Sequence, residues 1–189
     1  MSLNLSALSD GELAILSLDG RDAAYAEIMR RHRDAIFRIV AGNIGDPEEA
    51  LDLVQETFVA AHRALGRYDA LRPMRRWLAR IALNKCRDWR RRRMVRRLFA
   101  FALPLDSSSA EVPEDRALPD AEAADRAEVR RVAAAIAELP AALREPLVLR
   151  AVEDMSQAET AAILGITEKA VETRLRRARA KLSERLNPS

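Results

Sequence analysis

Between Glu168 and Arg185 seven bases stand against three acids, and helical spacing sorts them. At about 100° per residue, Val171, Leu175, Ala178 and Leu182 fall on one stripe that must face a core. The opposite side carries Lys169, Glu172, Thr173, Arg176 and Arg177. Cations along the outer face of one helix can clamp phosphates or reach base edges in a major groove. The preceding residues complete a helix-turn-helix. Ser156-Gln157-Ala158-Glu159 has the spacing of a capping box, Gly165 supplies the turn and Thr167 can N-cap the second helix. Ala161 is small enough to let the two helices cross closely. An ordinary helical hairpin with a solvated basic face shares the charge pattern. The coincidence of cap, small residue, turn and inward stripe favours DNA binding.

A second cationic cluster lies on the helix expected from Met74 to about Arg93. Arg76, Arg80, Arg87 and Arg90 gather on one side, with Asn84 at the border. Met74, Trp77, Leu78, Ile81, Ala82, Lys85 and Trp89 occupy the other arc. Arginines spaced by helical turns can track a phosphate backbone, and aromatics beside them can stack on an unpaired base. Trp77 reads first as a core residue, as most tryptophans on an apolar arc do. The run Arg90, Arg91, Arg92, Arg93 is self-repelling, which a polyanion would relieve. Cys86, the single cysteine, reads as a packing residue and His62 as a surface or boundary one.

Catalysis finds little support. Phosphodiester hydrolysis usually needs carboxylates gathered around metals. Asp46, Glu48, Glu49, Asp52 and Glu56 do cluster, but the first three are explained by helix capping. One cysteine excludes an internal disulfide or a cysteine zinc cluster, and two histidines 30 residues apart make a histidine metal site improbable. The chain is expected to be a non-enzyme with no cofactor and no metal.

These surfaces need elements to position them. Of 32 basic residues in the 189, only Lys85, Lys169 and Lys181 are lysine, and against 29 acids the net charge is +3. Hydrophobic residues make up 49% but aromatics only 4%, an Ala/Leu/Arg-rich composition that favours helices over a β sandwich or barrel. From Arg87 to Arg97 there are seven arginines and one acid; from Pro104 to Glu128, eight acids and two bases. That acidic stretch, with Pro104, Pro113 and Pro119 and the serines 107–109, has no helical periodicity and reads as a linker. The expected organisation is all-α: a helical domain over 1–103, an acidic flexible linker over 104–127 and a small helix-turn-helix domain over 128–189.

Within the first domain, Ser9-Asp10-Gly11-Glu12 is a capping box opening a helix with Leu13, Ile15 and Leu16. Tyr25, Ile28, Met29, His32, Ile36, Ile39 and Val40 recur at helical steps. Asp46-Pro47 starts the next helix, with Leu51, Val54, Phe58, Ala61 and Leu65 expected on one inward face. Gly66 to Pro73 breaks the chain. Later, Val129, Val132, Ile136 and Leu139 precede a segment with Leu143, Leu147, Val148 and Val152, in which Pro146 should kink the helix. No apolar run approaches the roughly 20 residues of a membrane span, and the N-terminus lacks the build of a signal peptide, so a cytoplasmic protein is expected.

In this order the motifs resemble one family. Asp52-Leu53-Val54-Gln55-Glu56-Thr57-Phe58 is similar to the core-binding segment (region 2.2) of bacterial RNA polymerase sigma factors. Arg76-Trp77-Leu78-Ala79-Arg80-Ile81-Ala82-Leu83-Asn84-Lys85-Cys86-Arg87-Asp88 resembles the helix that melts and reads the −10 element. Leu139-Pro140, Arg144-Glu145 and Met155 to Leu182 resemble region 4, which reads the −35 element. With regions 2 and 4 alone, the likeness is to the extracytoplasmic-function (ECF) type.

The resemblance implies that Asp52, Gln55 and Glu56 meet the β′ clamp helices of core polymerase, and that region 4 meets the β flap. It implies −10 contacts by Tyr68, Asp69 and Arg72, in a loop that captures a flipped base, and by Arg76, Arg80, Asn84, Arg87, Arg90 and Arg91. It implies −35 contacts by Lys169, Glu172, Thr173, Arg174, Arg176 and Arg177. The acidic linker would thread the polymerase cleft, and an anti-sigma factor would be a partner. Glu172 departs from the neutral or basic residue common in the family; an acid there repels phosphate but can accept from a cytosine amino group. A stand-alone helix-turn-helix regulator is the competing reading, though residues 1–103 lack the βαβ alternation of a receiver domain.

Overall fold

The computed structural model describes residues 3–102 and 120–187, with side chains over 3–99 and 127–187. Residues 103–119, most of the expected linker, lie outside the described residues. Every regular element among the described residues is helical, and none is long and apolar enough to cross a membrane.

The first domain is built from α1 (Asp10–Leu18), α2 (Asp22–Ile44), α3 (Pro47–Ala64) and α4 (Met74–Ala102). Local chemistry sets their ends. Ser9 and Glu12 form the expected capping box: the Glu12 amide donates to Ser9 Oγ (3.3 Å) and the Ser9 amide to Glu12 Oε2 (2.7 Å). Gly45 closes α2 in the left-handed region (φ 74°), a conformation that favours glycine. Asp46 caps α3 through the Glu49 amide (3.2 Å), with Pro47 at the first position.

The four helices bury Leu13, Ile28, Ile36, Ile39, Phe58 and Leu78 in one core. Each such side chain contributes about 1.5–3 kcal/mol by leaving water. Tyr25 Oη donates to the Phe58 carbonyl (2.5 Å), tying α2 to α3, and burial pushes its phenol up to about 12.

Some expected faces are corrected. Leu51 is 47% exposed rather than inward, because the buried stripe of α3 runs through Ala50, Leu53, Val54, Thr57 and Phe58 and leaves Leu51 beside it. Ile15 and Val129 are exposed for the same kind of reason, each lying off the stripe its helix buries. α4 continues well past Arg93, since no proline or glycine interrupts it before Pro104.

The second domain comprises α5 (Asp120–Ala137), α6 (Ala141–Leu147), α7 (Gln157–Leu164) and α8 (Glu168–Leu186). Residues 120–127, expected in the linker, are already helical. Pro146 sits inside α6, where it cannot donate a ladder bond. Beyond it the helix widens into a π-turn over Val148–Val152, which leaves Val152 exposed rather than in the core. Leu139, Leu143, Leu147, Val171, Leu175 and Ala178 form a separate small core.

The two domains are docked. Leu149, Met155 and Ile163 of the second lie in the core of the first. Approach is close: a Cβ at Gly42 would stand 3.1 Å from both Val148 methyls, and one at Gly45 would stand 2.4 Å from the Ala137 Cβ.

Candidate nucleic-acid and polymerase interfaces

α7 and α8 form the expected helix-turn-helix. The Glu159 amide donates to Ser156 Oγ (3.2 Å) and the Ser156 amide to Glu159 Oε2 (2.9 Å). These bonds from Ser156 hold the Glu159 carboxyl below its usual range. Gly165 makes the turn with φ 66°, and Thr167 Oγ1 accepts from the Ala170 amide (3.2 Å). With Val171, Leu175 and Ala178 buried, Lys169, Glu172, Arg176 and Arg177 are exposed, and none makes an ion pair among the described residues. Thr173, half-buried, donates its hydroxyl to the Lys169 carbonyl (2.9 Å), and Arg174 is also half-buried. The six residues lie on one helix, four of them facing outward.

The loop before α4 is built around Asp69, which accepts from the Leu71 amide (3.0 Å) and Arg72 Nε (3.1 Å). Tyr68 Oη donates to the Arg72 carbonyl (2.6 Å), and its ring stands 5.2 Å from that of Trp77. Burial raises the Tyr68 phenol. Trp77 is half-buried rather than a full core residue. Its position lets it line, with Tyr68, Asp69, Arg72, Arg76 and Arg80, a cavity of about 360 Å³, large enough for one planar ring. The far wall of that cavity is Ala162 and Ile163 of α7.

Further along α4 the expected phosphate-tracking face meets protein. Arg87 forks onto Glu145 (Nε 2.8 Å, Nη2 2.6 Å) and also donates to Asn84 Oδ1 (3.2 Å). Arg90 donates to the carbonyls of Asn43 (2.9 and 2.5 Å) and Ala137 (2.8 Å), and burial lowers its pKa. Arg91 and Asp88 are both exposed, 3.8 Å apart, and Arg93 lies over the Trp89 ring. The self-repelling run is thus relieved in part by this chain's own groups, because each guanidinium points to a different helix.

On α3, Asp52 and Gln55 are exposed, while Glu56 is half-buried against Lys85 (3.2 Å). Gln55 stands at the rim of a mostly apolar groove of about 370 Å³ between α2 and α3, lined by Tyr25, Met29, Phe58, Val59 and His62. His62 is exposed and edge-on to Tyr25. Among the described residues no group of three or more histidine, cysteine or carboxylate side chains could hold a metal.

Sequence reasoning missed four residues. Arg38 and Arg75 both bind Glu153, whose side chain has no exposure, and Glu145 is 6% exposed. Arg144-Glu145 stood out only as part of a family string. Nothing local signals Glu153, because its partners lie far away in the chain.

The chain matches two families, sigma-70 region 2 over residues 28–96 and sigma-70 region 4 over residues 130–182. It is 42% identical to the RNA polymerase sigma factor CnrH of Cupriavidus metallidurans, covering 95% of each chain. It is 33% identical to the ECF RNA polymerase sigma factor SigM of Mycobacterium tuberculosis, covering 94% of this chain and 85% of that one. In three dimensions it is similar to CnrH in complex with the cytosolic domain of CnrY (TM-score 0.67, 37% identity, 94% of this chain and 96% of that one). It shares the fold of the sigma factor RpoE bound to the anti-sigma factor NepR from Bartonella quintana (TM-score 0.66, 22% identity, 86% and 96% covered).

Proposed function

This chain belongs to the extracytoplasmic-function type of bacterial RNA polymerase sigma factors, and from that premise we propose how its surfaces divide the work. The protein binds core RNA polymerase and directs promoter-specific transcription initiation; the stand-alone regulator is not favoured, because region 2 accounts for the first domain.

Asp52, Gln55 and Glu56 meet the β′ clamp helices, with the apolar groove beside Gln55 as the adjoining contact, and region 4 meets the β flap. Lys169, Glu172, Thr173, Arg174, Arg176 and Arg177 engage the −35 duplex, cations on phosphates or guanine edges and Glu172 on a cytosine amino group. The cavity bounded by Tyr68 and Trp77 takes a base flipped from the −10 element, with Asp69, Arg72, Arg76 and Arg80 around it. Flipping costs a few kcal/mol, which stacking on two aromatic rings and phosphate contacts offset. Asn84, Arg87, Arg90 and Arg91 extend that contact along α4. The chain acts by binding, without catalytic residues or a cofactor, in the cytoplasm. An anti-sigma factor is its inhibitor, as such partners accompany the solved structures of similar proteins.

The observation that carries this reading is α8, whose outward charged face lies over a fully buried Val171–Leu175–Ala178 stripe. Run-off transcription with core polymerase and a pooled promoter library tests it. Selective initiation that disappears in Gln55→Ala/Glu56→Ala supports the assignment, and the enriched −35 sequences identify the base opposite Glu172. Duplex binding without any initiation would overturn it.

A further inference from the structure

The seam between the domains is made of acids from one and arginines from the other. Glu153, just after the π-turn, places a carboxylate with no exposure between two helices of the first domain. Arg38 Nε on α2 donates to it at 2.7 Å, and Arg75 Nη2 on α4 at 2.6 Å; Arg75 also holds the Glu153 carbonyl (2.5 Å). Glu145 on α6 receives the two-point fork of Arg87. Arg75 and Arg87 stand 12 residues apart, so the seam follows α4 for about 18 Å, the length of about five phosphates along one strand of a duplex.

We propose that Glu145 and Glu153 latch the second domain onto the first by occupying two anion sites, Arg87 and the Arg38–Arg75 pair, that receive DNA backbone phosphates when the domains part. The inference rests on the sigma-factor reading and adds Arg38 and Arg75 to its nucleic-acid surface.

The physics supports a latch that exchanges. A buried ion pair is close to neutral in net stability, since desolvation of both charges offsets their attraction. Removing only one partner is expensive, so the arginines stay closed until another anion replaces the carboxylates. A phosphodiester offers the same acceptor geometry to a guanidinium fork, and a strand offers many at once. Closure also denies the base cavity, whose far wall is Ala162 and Ile163. The Arg75 Nε is buried without a hydrogen-bond partner, one donor that a tetrahedral phosphate has room to satisfy and a planar carboxylate leaves unused.

The test uses the full chain and two readouts: radius of gyration by small-angle X-ray scattering, and binding of a fluorescein-labelled 12-nucleotide single strand of random sequence. Glu145→Gln/Glu153→Gln should expand the molecule and bind the strand about tenfold more tightly. Adding Arg38→Ala/Arg75→Ala to that chain should remove most of the gain and lower the salt slope by about one per arginine. An unchanged radius, or expansion with no gain in binding, overturns the proposal.

Should the glutamine pair lose helix content, charge exchange decides. Arg87→Glu and Glu145→Arg should each expand the chain and together restore compactness; a double variant that stays expanded overturns the latch. Failure of the wild-type chain to initiate with core polymerase, with these radius changes intact, would defeat the sigma reading alone.

Discussion

On α8, Lys169, Glu172, Arg176 and Arg177 face outward with no ion pair among the described residues. On α4, Arg87 and Arg90 are held by Glu145 and by the carbonyls of Asn43 and Ala137. Both helices carry arginines at helical spacing, and helical projection ranks them equally as DNA-binding surfaces. The difference lies in what covers them. A cationic face acts on a distant polyanion only through the charge its own chain leaves uncompensated. α8 can be tested by duplex binding in the free protein, whereas α4 has to be uncovered first.

Four experiments bear on this contrast. Leu149→Ala should have the largest effect. The residue belongs to the second domain but is fully buried in the core of the first, so truncation should cost about 2–5 kcal/mol in urea unfolding. A loss below about 1 kcal/mol would mean that the two surfaces are not separated by a packed seam. Arg176→Ala should leave stability within about 0.5 kcal/mol while weakening duplex binding and lowering its salt slope by about one. A clear loss of stability would show that α8 is not an open face.

Ser9→Ala and Ser156→Ala each remove half of a capping box, one per domain, and each should cost about 1 kcal/mol in thermal melts. If docking makes the molecule one cooperative unit, both shift a single transition. Two separate transitions, each moved by only one variant, would count against that.

Cys86 gives the smallest effect, none at neutral pH. Burial pushes its thiol up to about 12 from about 9, with Arg144, Arg90 and Arg87 opposing. The folded chain therefore keeps a proton that the unfolded chain gives up. This stability is complete below pH 9 and is lost as pH rises from 9 toward 12. Cys86→Ala should flatten the alkaline limb of the stability curve, and iodoacetamide should label the wild-type thiol slowly at pH 8 in the native chain. Rapid labelling would place Cys86 at an open seam.

Elements whose determinants lie within a few residues were legible in the sequence. The capping boxes at Ser9 and Ser156, the turn at Gly165, the Asp46-Pro47 start of α3 and the inward stripe of α8 all appear where spacing puts them. Leu51 and Val129 were misplaced because helical periodicity fixes an arc to about one residue, and the neighbouring helix decides which edge is covered. The reach of α4 past Arg93 was missed because its charge run looked like a reason to stop, although helix propensity does not fall at arginine.

The seam was illegible for a different reason. Glu145 and Arg87 are 58 residues apart and Glu153 and Arg75 are 78 apart, so no periodicity connects them. They meet only because Pro146 and the π-turn aim that loop between α2 and α4. The −35 face was therefore visible from one helix, whereas the state of the −10 face depended on another domain.

Gly42 lies inside α2, where alanine would favour the helix by about 1 kcal/mol. The close stance of the Val148 methyls accounts for the hydrogen there: a methyl would press on both at 3.1 Å. At this position secondary-structure preference and quaternary-like fit pull in opposite directions. Gly42→Ala should yield a first domain that is more helix-prone by itself and a whole molecule that closes less tightly. The intrinsic stability of one domain is thus traded for its fit to the other.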